Sequence, residues 1–110
     1  MTVFEINRKW LVNTLESYRD LPSESSCRAF IDRLIEVSRQ SVGADKAEKQ
    51  YHNLIVLRYI TDTRPSVQKI CNALHMGRQR ENYEAVTAKA IDRLMILAFG
   101  VDGIDWECSE

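Results

Sequence analysis

Apolar side chains recur at intervals of three and four residues along almost the whole chain, the spacing that lines one side of a helix. Leu11, Leu15 and Tyr18, with Trp10 beside them, predict a first amphipathic helix over roughly 7–20. Pro22 disfavours helical backbone at Leu21 and ends it. Ser23, Ser25 and Ser26 then offer hydroxyl caps to a second helix, about 24–41, striped by Phe30, Ile31, Leu34 and Ile35. Gly43 suits the left-handed residue that closes such a helix. A third helix is predicted from about Ala44 to Tyr59, with Ala47, Tyr51, Leu54, Ile55 and Arg58 on one side.

The pattern restarts after the polar connector Thr61 to Pro65. Ser66 is a good N-cap, and Val67, Ile70, Cys71 and Leu74 line one face of a short helix. His75-Met76-Gly77 interrupts it, and a longer helix follows from about Arg78 or Gln79 to Ala98. Its buried stripe is expected to be Tyr83, Val86, Thr87, Ala90, Leu94 and Leu97, with Ile91 flanking. With only 4 Gly and 2 Pro in 110 residues, turn formers are too few for a many-stranded sandwich or barrel. The fold class expected is all-α, about five helices with a C-terminal helix-turn-helix. Residues 1–43 form an N-terminal helical pair for packing or self-association, 44–100 hold the helix-turn-helix portion, and 101–110 are an acidic tail, all in one compact domain.

A short helix, a tight turn and a longer helix suit a unit in which the first helix props up the second. Met76 is expected to plug the angle between them, and His75 to adopt the positive φ that such a turn requires. The second helix begins with Arg78, Gln79, Arg80, Asn82 and Tyr83, with Lys89 and Arg93 further along. Arginine can grip guanine O6 and N7 through two bonds, and glutamine or asparagine can do the same for adenine. Arg78, Gln79, Arg80, Asn82, Tyr83 and Lys89 are therefore the candidate DNA-binding residues.

Charge supports this placement in a modest way. Residues 56–99 carry seven bases against four acids, hence +3, while residues 1–55 balance at eight against eight and the stretch after Gly100 contributes −4. The basic surplus lies on the helix-turn-helix, though it is small enough to predict a shallow salt dependence of binding.

Chemistry of other kinds finds little footing. His52 and His75 are far apart, no Cys-x-x-Cys occurs, and there is no Gly-rich phosphate loop or nucleophile motif, so neither a metal nor another cofactor nor an enzymatic role is expected. Cys27, Cys71 and Cys108 are an odd, scattered set that fits reduced thiols in a cytoplasm, with Cys27 and Cys71 as small core residues. No apolar run approaches the roughly 18 residues of a membrane span, and the first eleven residues lack the apolar core of a secretory signal.

Leu54-Ile55-Val56-Leu57-Arg58-Tyr59-Ile60, followed by the run from Ser66 to Met76, resembles region 4, the last domain of bacterial sigma factors. Ala90 to Gly103, with its Phe99-Gly100, is similar to the small prophage late-gene regulators of Gram-positive bacteria, the ArpU-like and RinA-like transcriptional activators. The resemblance covers roughly 54–103, about half the chain. It implies sequence-specific binding of double-stranded DNA, activation of phage or prophage genes, and a contact with RNA polymerase. Where that family has Ser-x-x-Thr or Ser-x-x-Tyr after the turn, this chain has Gly77 to Tyr83, so either the turn is extended or the recognition helix is re-aimed. The competing expectation is a phage-encoded inhibitor or adaptor acting on a host protein such as RNA polymerase, a sigma factor or a defence nuclease. Trp10 and Trp106 are its candidate interface anchors, the alternative being that both cap the core. A homodimer through the first two helices is compatible with the DNA-binding reading.

Overall fold

The structure, a computed structural model, describes residues 2–76 and 80–99, the side chains at 80 and 81 excepted. These residues form five α-helices and no strand. Helix α1 spans Val3–Ser17 and tightens into a 3₁₀ turn at Tyr18–Asp20. Helix α2 spans Ser26–Gln40, and α3 spans Lys46–Ile55 and runs on as a π-helical turn, Val56–Ile60. Helices α4, Val67–Ala73, and α5, Arg80–Phe99, complete the order.

Side-chain caps set where four of the helices begin. Ser25 Oγ accepts from the backbone of Cys27 and Arg28 at 3.1 and 3.3 Å. Asp45 accepts from Ala47 and Glu48 at 2.8 and 3.1 Å, and Ser66 from Lys69 at 3.2 Å. Each satisfies N–H groups that the first helical turn leaves without a partner. Helix α1 starts four residues earlier than its apolar spacing predicts. The reason is a capping box: Thr2 Oγ1 accepts from Glu5 N at 3.1 Å, and Glu5 Oε1 accepts from Thr2 N at 2.8 Å. Gly43 takes the left-handed backbone expected of it after α2, with φ of 59°.

The π turn is not legible in the spacing. Thr61 N donates to Val56 O at 3.0 Å, a five-residue step that widens the end of α3. Arg19 reaches over from the 3₁₀ turn and donates to the carbonyls of Thr61 and Leu57 at 2.7 and 3.4 Å, so this end is held by a side chain from another element.

One hydrophobic cluster draws on all five helices, with Leu11, Leu15, Ile31, Leu54, Ile55, Ile70, Ile91, Leu94 and Met95 fully inside. Helix α5 is its centre and packs on α1, α2, α3 and α4, most extensively on α3. Its burial is correspondingly wider than the single stripe expected. Met95, Ala98 and Phe99 are buried as well as Tyr83, Thr87, Ala90, Ile91 and Leu94, whereas Val86 and Leu97 are only half-buried. A helix enclosed by several neighbours buries most of its circumference. Ala47 corrects the reading of α3: it is exposed, whereas the next residue, Glu48, already meets Arg93 of α5. Cys71 is buried and Cys27 half-buried; Cys108 lies outside the described residues. Among the described residues no helix is long and apolar enough to cross a membrane.

Candidate nucleic-acid interface

Seven residues make α4 a very short helix, so its position depends on how its ends are tied. Ser66 caps the start. At the other end Met76 N donates to Cys71 O at 2.9 Å and His75 N to Asn72 O at 3.3 Å, the paired bonds of a Schellman closure. His75 stands at the left-handed position of that closure with φ of 57°, as the turn was expected to require. Met76 folds back into the cluster and is buried, and Gln50 of α3 donates its amide to Leu74 O at 3.1 Å. Ile70 and Cys71 face inward and Val67 and Leu74 are half-buried, leaving Gln68, Lys69, Asn72 and Ala73 to solvent.

The six candidate residues divide into three groups. Asn82 and Lys89 are exposed on α5, seven residues apart and hence on one face, with Ala85 and Ala88 exposed between them. Arg78 and Gln79 lie outside the described residues; Arg80 opens α5, and its side chain is outside the description. Tyr83 is a correction. It is 3% exposed and belongs to the core. The guanidinium of Arg58 lies 4.9 Å from the Tyr83 ring centre and 5.3 Å from that of Tyr59, so the phenol faces an internal cation rather than a partner molecule. Burial pushes both phenols above their ordinary pKa, which keeps the rings neutral beneath that cation.

Two of the seven bases behind the local surplus are also committed within the fold. Arg58 donates to Thr87 Oγ1 at 3.0 Å and to Glu84 Oε1 at 3.3 Å. Arg93, expected on the outer face of the long helix, is 9% exposed. Its Nε donates to Glu48, its two terminal nitrogens to Ser38 Oγ and Ser38 O at 2.6 and 3.0 Å. Among the described residues Lys69 and Lys89 form no ion pair, and Arg64 makes only a 4.0 Å contact with Asp20. Asp92, an acid on the outer face of α5, is partly neutralised by Arg8 of α1 at 3.0 Å. Of the described bases within 56–99, those left facing solvent thus lie on the connector, α4 and the outer face of α5.

Sequence reasoning missed the polar cluster around Arg93. Ser38 sits at the fourth position after Leu34 in the buried stripe of α2, and Arg93 lies inside the apolar run from Ala90 to Leu97. A polar residue on a buried phase of a helix was the available signal. The cluster extends to His52, whose Nδ1 is 2.8 Å from Ser38 Oγ. A serine beside a histidine invites comparison with a nucleophile and its base, but Ser38 is 1% exposed and its oxygen already accepts from Arg93, which leaves no approach for a substrate. No group of three or more His, Cys, Asp or Glu suited to a metal ion occurs among the described residues. Comparison of the chain with family models, with curated proteins and with solved structures returned no match.

Proposed function

We propose that the chain is a sequence-specific DNA-binding transcriptional regulator of phage or prophage type, acting in the cytoplasm through α4, its turn and the start of α5. The observation that carries this reading is the arrangement at 66–89. A capped seven-residue helix closes through a left-handed His75 and a buried Met76. Lys69, Asn82 and Lys89 are left exposed on the two helices that flank this turn. Cations that form no ion pair with the described residues are available for phosphates, and Asn82 for a base edge. Arg78, Gln79 and Arg80, next to Asn82 in sequence, complete the set in this reading.

The test is a gel shift on random-sequence duplex DNA at low salt, followed by a salt titration. Binding should be measurable and weaken with salt, each phosphate contact contributing a slope of about −0.9. Replacing both Arg78 and Arg80 by Ala should lower affinity by about tenfold or more, with helical content unchanged by circular dichroism. No binding at low salt would overturn the reading; unchanged affinity of the double variant would remove those arginines from the site.

A second reading is favoured by a different observation. Val3, Ile6 and Trp10 are 60%, 52% and 40% exposed on one face of α1, an apolar strip of the kind that protein partners cover. In that reading the chain is an adaptor or inhibitor of a host protein such as RNA polymerase, and binding would survive loss of the arginines but not Trp10→Ala.

A further inference from the structure

Helices α2, α3 and α5 meet at a polar junction inside an otherwise apolar contact. Ser38 is its hub. The hydroxyl oxygen accepts from Arg93 at 2.6 Å, and the carbonyl of the same residue accepts from a second Arg93 nitrogen at 3.0 Å. A hydroxyl has one hydrogen to give and two lone pairs to receive with. With Arg93 permanently a donor, the Ser38 hydrogen is free to point at His52 Nδ1, 2.8 Å away. That assignment needs the imidazole to be neutral and to accept at Nδ1.

The charges around His52 reinforce this state. Arg93 of α5 and Arg39 of α2 both repel a proton on the ring, and Glu36 of α2 opposes them. Glu36 is itself occupied by Arg39 and by Gln40, which donates at 3.0 Å. Glu48, one turn before His52 on α3, is engaged by Arg93. Burial, followed by the two arginines, holds the imidazole below its ordinary 6.5.

We propose that this junction is a proton-sensitive clasp: uptake of a proton at His52 Nδ1 loosens the seat of α2 on α3 and α5. The proton comes from solvent, and the new N–H points at Ser38 Oγ, which then receives on both lone pairs, from Arg93 and from His52. The Ser38 hydrogen must then turn away from His52, and a second cation stands beside Arg93. Unfolded chain takes up the proton as pH falls through 6.5, while the folded chain resists it. Stability is therefore full above 6.5, declines as pH falls below it, and stops declining once the folded chain is itself protonated. The inference is independent of DNA binding.

Two measurements on the full chain test it. His75→Asn leaves His52 as the lone histidine, and asparagine tolerates the left-handed backbone at that position. An NMR titration of the remaining ring should give a midpoint below 6.5, with the neutral ring protonated at Nε2. A midpoint at or above 6.5, or the opposite tautomer, overturns the proposal. Urea unfolding between pH 7.5 and 5.5 should show the natural chain losing stability with acid, whereas His52→Asn, whose amide oxygen can accept from Ser38 but does not titrate, should lose clearly less. Equal losses would also overturn it, and should the asparagine variant fail to fold, the titration decides alone.

Discussion

The two ends of α5 are built differently. From Ala90 to Phe99 the helix is buried except at Asp92, Ile96 and the half-buried Leu97, with Leu94 and Met95 fully inside and even Arg93 withdrawn from water onto Ser38 and Glu48. Near its start Tyr83 and Thr87 are buried, but Asn82, Glu84 and Ala85 stand in solvent, and the neighbouring α4 contributes only Ile70 and Cys71 as buried side chains. One end supplies stability, and the other spends little of its surface on the fold. Surface not needed for packing is what a recognition element requires, so under the proposed function the contrast separates positions where substitution unfolds the chain from positions where it would alter binding.

The sharpest way to break that contrast is to open the enclosed end. Leu94→Ala should cost about 2–5 kcal/mol in urea unfolding, the range for a fully buried leucine. A loss below 1 kcal/mol would mean that the centre of α5 is not the core. Arg93→Met comes next. It leaves Glu48 without its partner and takes a donor from Ser38 Oγ, while the Ser38 carbonyl keeps Ser41 N at 3.2 Å; about 1–3 kcal/mol should be lost, with DNA affinity unchanged where the variant is still folded. An effect on DNA binding without an effect on stability would return Arg93 to the surface set. Smallest is Leu74→Ala at the open end. Leu74 is half-buried, so the loss should be about 1 kcal/mol, in proportion to the smaller area withdrawn from water. A loss equal to that of Leu94→Ala would show the two ends to be equally packed.

Much of this architecture could be read from the chain. Ser66 as a cap, Gly43 at positive φ, His75 in the left-handed turn and Met76 tucked behind it all follow from side-chain chemistry acting over a few residues. The early start of α1 is equally local: Thr2 and Glu5 have the spacing of a capping box, although the apolar periodicity begins only after them. The π turn at Val56–Ile60 is tied by Arg19, far away in sequence, and no local pattern announces it. Of the candidate site, Asn82 and Lys89 stand on the surface as expected, whereas Tyr83 is buried, and so is Arg93 further along the same helix. Tyr83 satisfies both the apolar stripe and the polar start of the helix in sequence, and in the structure packing claims it for the core.

Helical identity and the boundaries set by caps and turns were determined by the sequence itself, because they arise from interactions within a turn or two of each residue. Which polar side chains go inside was decided only by tertiary structure. An arginine reads as a surface residue until three helices converge to give its guanidinium a carboxylate, a hydroxyl and a carbonyl at once, and those partners lie 45 and 55 residues away in the chain. Burial of a charge is tolerable only when such partners are assembled, and that assembly is a property of the packed helices.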